Sequence, residues 1–116
     1  MWRAGTPDPV QIGHLQATCQ LHAIQPVVIH VSYLINLAAG DLEIHAKSVA
    51  AFRGELERAA AIGAQYLVLH PGSYRGRSVD EGIVTFVEGL RQAAAGFHSP
   101  ELTVLLENTA GVFGDN

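Results

Sequence analysis

The sequence predicts an α/β fold in the order α-β-α-β-α-β, about three consecutive parallel βα units. Three observations carry that prediction. Short apolar runs recur as "PVVIH" ending at His30, "YLVLH" ending at His70 and "TVLLE" ending at Glu107. They are rich in Val, Leu and Ile without polar alternation, as strands covered on both faces require. Their ends lie 40 and 37 residues apart (70 − 30 and 107 − 70), room for a strand, a loop and a helix. The intervening segments have helical periodicity and recognisable ends.

Taken in order, Asp8-Pro9 places a cap and an N1 proline ahead of "VQIGHLQATCQLHAI", a helix weakened by Gly13 and Thr18. Cys19 within it reads as a small core residue facing inward. After the first strand, Asp41 caps a helix running through Val49, Phe52, Leu56 and Ala59 to Ile62, with Gly63 as a left-handed stop. After the second strand, "SVDEGIVTFVEGLRQAAAG" opens with Ser78 and Glu81 at capping-box spacing. It carries Ile83, Val87, Leu90 and Ala94 along one face and stops at Gly96. The third strand closes the series at Glu107.

A chain of 116 residues, 48% apolar and 16% charged, can bury a core as one domain and is not disordered. Its single cysteine forms no internal disulfide, which fits a reducing compartment. No apolar run approaches the roughly 18 residues of a membrane span, and "MWRAGTPDP" lacks the basic start and apolar middle of a secretory signal. The expected location is cytoplasmic, without membrane contact. A net charge of −4 argues against broad electrostatic adhesion to nucleic acid but permits a locally basic or metal-charged face.

Strands joined through one helix are parallel neighbours, so their C-terminal ends share one edge, about 4.8 Å apart. His30, His70 and Glu107 therefore converge on one rim, and period-two alternation puts Val28, Val68 and Leu105 on their face. Two imidazoles and a carboxylate are a ligand set of catalytic zinc. Each alone reads as a satisfied polar residue at a strand end; their matched positions favour a metal. His14, His22, His45 and His98 read as solvent-facing or locally bonded. The rim loops offer Ser32, Tyr33 and Asn36, then Ser73, Tyr74, Arg75 and Arg77, then Asn108 and Thr109. Arg75 and Arg77 suit phosphate, and equally suit an exposed, solvated loop. Tyr33 and Leu34 are either core residues or projections from the loop.

"HVSYLINLA" (30–38), "HPGSY" (70–74) and "LENTAG" (106–111) resemble the successive strand-end motifs of endonuclease IV, the family-2 apurinic/apyrimidinic endonucleases. "KSVAAFRGELERAAAIGA" and "MWRAGTPDP" are similar to the same family. The resemblance implies a partial (β/α)8 TIM barrel with a trinuclear zinc site. It implies hydrolysis of the phosphodiester 5′ to an abasic site in double-stranded DNA, leaving a 3′-hydroxyl, in base-excision repair.

Position by position, His30 and His70 match zinc ligands, and Glu107 matches the carboxylate that bridges two zincs and acts catalytically through them. At most one full ligand set of the three Zn2+ is present. Tyr33 and Leu34 match residues inserted into the DNA; Arg75 and Arg77 join them as DNA-binding candidates. Ser32, Asn36, Ser73, Asn108 and Gly111 have supporting roles. Tyr74 stands where the family has a histidine, and Val112-Phe113 interrupts its "AGQG".

Residues 1–116 thus read as a single incomplete barrel domain, an internal fragment inactive by itself, whose open sheet edges invite self-association. Two other readings stand: a metal-dependent sugar isomerase or epimerase on the same kind of barrel, and a degenerate, non-enzymatic fragment.

Overall fold

The computed structural model describes residues 8–32 and 34–107. Its six elements follow the expected order: α1 (Pro9–Leu21), β1 (Val28–His30), α2 (Leu42–Ile62), β2 (Tyr66–Leu69), α3 (Val79–Ala94) and β3 (Thr103–Leu106). The strands form one parallel sheet in the order β1-β2-β3. Middle strand β2 is paired on both sides, so β1 and β3 are the two edges.

The caps at Asp8, Asp41 and Ser78 and the stop at Gly63 form where the sequence places them, whereas α1 ends at Leu21 rather than Ile24 and α3 at Ala94, two residues before Gly96. Asp8 accepts from the Val10 N–H, and Asp41 accepts from the N–H groups of Glu43 and Ile44 at 2.9 and 3.0 Å. Both satisfy donors that have no partner inside the helix. Gly63 ends α2 at φ 82°, a left-handed conformation that favours glycine. The Ser78–Glu81 capping box is closed in both directions. α3 ends at Ala94, and Arg53 of α2 donates to the carbonyls of Ala93 and Ala95 while lying over the Phe97 ring.

The core lies between α2 and β2. Phe52, Leu56 and Ala59 of α2 meet Leu67 and Leu69 of β2 and Leu37 of the loop before α2; Phe52, Leu67 and Leu69 are wholly buried. Burying a side chain of this size contributes about 1.5–3 kcal/mol. Leu67 and Leu69 take the helix side of the sheet, so Val68 and His70 take the other, as alternation requires.

Three expectations need correction. The buried face of α3 is Gly82, Phe86, Gly89 and Ala93, and Ile83 and Val87 are exposed. Glycine decides this. A Cβ on Gly89 would meet His45 Nε2 at 2.8 Å and Leu37 Cδ2 at 3.2 Å, so the helix packs its glycine side close and turns its β-branched side out. Cys19 is half-buried rather than in the core, because α1 buries none of its residues; Gln16 ties the helix to the Ile62 carbonyl. His45 bonds the Thr85 carbonyl across the α2–α3 contact at 3.2 Å rather than locally or to solvent. No described helix is long and apolar enough to cross a membrane.

Candidate metal centre

The strand register puts the three rim residues on one face. His30, last residue of β1, stands opposite Val68, while Leu69 stands opposite Leu106, so His70 and Glu107 immediately follow paired residues. The Glu107 N–H continues the ladder to the Leu69 carbonyl at 3.1 Å. His30 thus starts one pleat lower than the other two. Its ring still reaches them, because side chains from the outer strands lean together over the middle one.

The resulting contacts are short. His30 Nε2 lies 2.8 Å from Glu107 Oε1 and 3.1 Å from His70 Nε2, and His70 Nε2 lies 3.3 Å from Glu107 Oε1. The imidazole centroids are 4.7 Å apart. His30 Nδ1 is 3.0 Å from the Val31 carbonyl, which can only accept, so Nδ1 carries the proton and donates it. In neutral His30, Nε2 then presents a lone pair to the carboxylate oxygen and to the second imidazole. Lone pairs repel unless a cation sits among them, and only a proton or a metal ion can answer to that arrangement.

The proton's side of this balance is visible. The hydrogen bond to Glu107, reinforced by that to the Val31 carbonyl, raises the His30 pKa above the ordinary imidazole value. The same contact with His30 holds the Glu107 carboxyl below the usual carboxylate range. The metal's side fits with some widening. Donors at about 2.0–2.2 Å around a tetrahedral ion are roughly 3.3–3.6 Å apart, so the His70–Glu107 separation of 3.3 Å already suits an ion, while those of 3.1 Å to His70 and 2.8 Å to Glu107 from His30 would have to widen, the last by about half an ångström or more. His30, His70 and Glu107 are the described residues that can hold a metal ion together. The ring atom left over, His70 Nδ1, is buried with no partner among the described residues.

Around this centre the two rim loops are tied to each other. Asn36 exchanges hydrogen bonds with the main chain of Ser73, its Oδ1 accepting from the N–H at 2.9 Å and its Nδ2 donating to the carbonyl at 3.1 Å. Ser32 and Ser73 make local turns, their hydroxyls accepting from the N–H groups of Leu34 and Arg75. Leu34 is half-buried and Arg75 is exposed.

Arg77 is bonded within the fold rather than free in a solvated loop. Its Nη2 donates to the Ala38 carbonyl at 2.8 Å and to Thr85 Oγ1 at 2.9 Å, stapling both rim loops to α3. Tyr33, Asn108, Thr109, Gly111 and Val112-Phe113 lie outside the described residues.

Ser48 is a participant the sequence reading passed over. It is fully buried on α2, and its hydroxyl accepts from the Asn36 N–H at 2.9 Å. A hydroxyl four residues before Phe52, on the apolar stripe of α2, was the available signal.

Comparison with known proteins gives this chain a family. Residues 3–115 match the family described as "Xylose isomerase-like TIM barrel". A "Probable endonuclease 4" from Solibacter usitatus is 62% identical over 111 residues, 96% of this chain and 38% of that protein. "Endonuclease 4" from Thermus thermophilus is 41% identical over 110 residues, 95% of this chain and 38% of that one. The crystal structure of endonuclease IV from a Thermus thermophilus strain matches with a TM-score of 0.82 at 33% identity, over 98% of this chain and 40% of that chain. The chain therefore spans about two fifths of the length of these relatives. Its three parallel strands with their helices form part of an α/β barrel, and the chain belongs to the xylose isomerase-like TIM barrel family, aligning there with a segment of endonuclease IV.

Proposed function

We propose that residues 1–116 are the central segment of a zinc-dependent DNA-repair endonuclease that hydrolyses the phosphodiester 5′ to an abasic site, and that the segment alone is inactive. The observation that carries the reading is the convergence of His30 Nε2, His70 Nε2 and Glu107 Oε1 within 3.3 Å of one another on the rim, in a chain whose relatives bear the name endonuclease 4. Imidazole and carboxylate donors suit zinc. When bound, zinc supplies positive charge to phosphate oxygens and acidity to a water nucleophile.

This chain's own residues have separate tasks. The Val31 carbonyl holds the His30 tautomer, and His30 and His70 present Nε2. Glu107 offers Oε1 to the pair, and a carboxylate has a second oxygen with which to bridge to another ion. Tyr33 and Leu34 are proposed to enter the duplex at the lesion, and exposed Arg75 to meet a backbone phosphate. Asn108 is proposed to support Glu107, as Ser32, Asn36 and Ser73 support the two loops. A fragment holding at most one zinc's ligand set lacks the preorganisation of a multinuclear site.

The sugar isomerase or epimerase reading has the family's description in its favour. Incubating the full-length protein that carries this segment with a duplex containing one abasic site separates the two. Strand scission leaving a 3′-hydroxyl, abolished by a chelator and restored by zinc, is the expected result. An uncut duplex refutes the nuclease, and interconversion of an aldose with its ketose would replace it.

A further inference from the structure

We infer that Asn36 is a positioning residue: it locks the loops that follow the two histidine ligands to each other and to α2, and thereby sets the His30–His70 geometry offered to a divalent cation. This rests on the metal-centre reading above.

Three side-chain hydrogen bonds of Asn36 and one from its main-chain N–H make the clasp. Oδ1 accepts from the N–H groups of Ala38 at 3.2 Å and Ser73 at 2.9 Å. Nδ2 donates to the Ser73 carbonyl at 3.1 Å. The Asn36 main-chain N–H donates to Ser48 Oγ at 2.9 Å, and Ser48 is wholly buried within α2. A primary amide carries a donor and an acceptor side by side, as a peptide group does, so Asn36 pairs with Ser73 as a strand residue would.

The clasp takes over where the sheet leaves off. The Val31 N–H still bonds the Val68 carbonyl at 3.0 Å. Beyond that rung the described chains diverge into loops, and the Asn36–Ser73 exchange reconnects them, six residues after His30 and three after His70. Between His70 and Ser73 stand Pro71, with a fixed φ, and Gly72 at φ 95°. A Cβ on Gly72 would collide with Asn36 Oδ1, so this turn is shaped to admit the amide. Few rotatable bonds separate the clasp from the His70 ring, and displacing Ser73 re-aims the imidazole.

The test is cobalt(II) titration of the chain, read by visible d–d absorption, for the wild type, Asn36→Ala and Asn36→Asp. Asn36→Asp keeps the size and the Oδ1 acceptor but loses the donor to the Ser73 carbonyl. Residues that orient ligands cost about 10- to 100-fold in metal affinity when removed. Asn36→Asp should therefore weaken cobalt binding by about tenfold and shift the absorption band, with an unchanged far-ultraviolet circular dichroism spectrum. Wild-type affinity and spectrum in Asn36→Asp would overturn the positioning role alone. A wild-type chain that binds no cobalt would overturn the metal-centre reading and this inference with it.

Amide exchange in the unsubstituted, metal-free chain tests the clasp without any variant. The Ser73 N–H should be protected relative to exposed loop amides, and exchange at the open-loop rate would overturn the inference even if neither variant folds.

Discussion

Replacing Arg77 separates a structural arginine from a DNA-binding one. In Arg77→Met the aliphatic stem is retained, but the Nη2 bonds to the Ala38 carbonyl and Thr85 Oγ1 are lost. Hydrogen bonds from a charged group contribute roughly 1.5–3 kcal/mol each. Ala38 is fully buried, so its carbonyl loses this partner away from water. Taking the lower value for each bond gives a loss of about 3 kcal/mol, which at a urea m-value of roughly 1–3 kcal/mol/M lowers the midpoint by about 1–3 M.

The assay is urea denaturation followed by circular dichroism at one protein concentration, because association alters apparent stability. Arg75→Met, on an exposed side chain, should stay within about 0.5 kcal/mol of the wild type. Binding of the full-length protein to abasic duplex as a function of salt supplies the complement. Losing one phosphate contact reduces the slope of log K against log salt by about one, expected for Arg75→Met and not for Arg77→Met. An Arg77→Met protein of unchanged stability with a reduced salt slope would refute the assignment.

Phe52→Ala removes a fully buried ring between α2 and the sheet and should cost about 3–5 kcal/mol, leaving little cooperative unfolding in the same assay. His30→Ala removes one of three converging donors, so zinc affinity should fall by more than the roughly 100-fold upper figure for outer residues and zinc should be lost on dialysis; unchanged zinc content would exclude this site. The capping box lowers the Glu81 pKa, chiefly through the bond with the Ser78 main chain, so its stabilisation is present above the unfolded carboxylate value and is lost as pH falls through the lowered one. Glu81→Gln keeps an amide in the box without titrating, and its stability should decline less steeply on acidification than that of the wild type. With β1 and β3 as open edges and Val28, Leu105 and Leu106 exposed, sedimentation velocity should show species heavier than one chain that grow with concentration; a sharp unfolding transition of a purely monomeric sample would contradict this.

Elements whose causes are local were legible in advance. The caps at Asp8, Asp41 and Ser78 and the stop at Gly63 depend on one or two residues within a turn, and all four form. Parallel pairing follows from the spacing of the apolar runs, and the rim follows from parallel pairing. Features that depend on what a side chain meets across space were misjudged. The inward side of α3 looked like Ile83 and Val87 because larger apolar groups bury more area, yet Gly82 and Gly89 permit the closer approach. Arg77 looked free because its partners, Ala38 and Thr85, are 39 and 8 residues away.

By itself, then, the sequence determined three parallel βα units and the placement of His30, His70 and Glu107 at their shared edge, because strand period and helix caps are encoded within short stretches of chain. Only the tertiary structure decided how far those side chains reach across the one-pleat offset of His30, which glycines draw α3 inward, and how Asn36, Ser48 and Arg77 bind the rim loops together. Those outcomes turn on distances of a few tenths of an ångström between residues remote in sequence, and packing alone sets such distances.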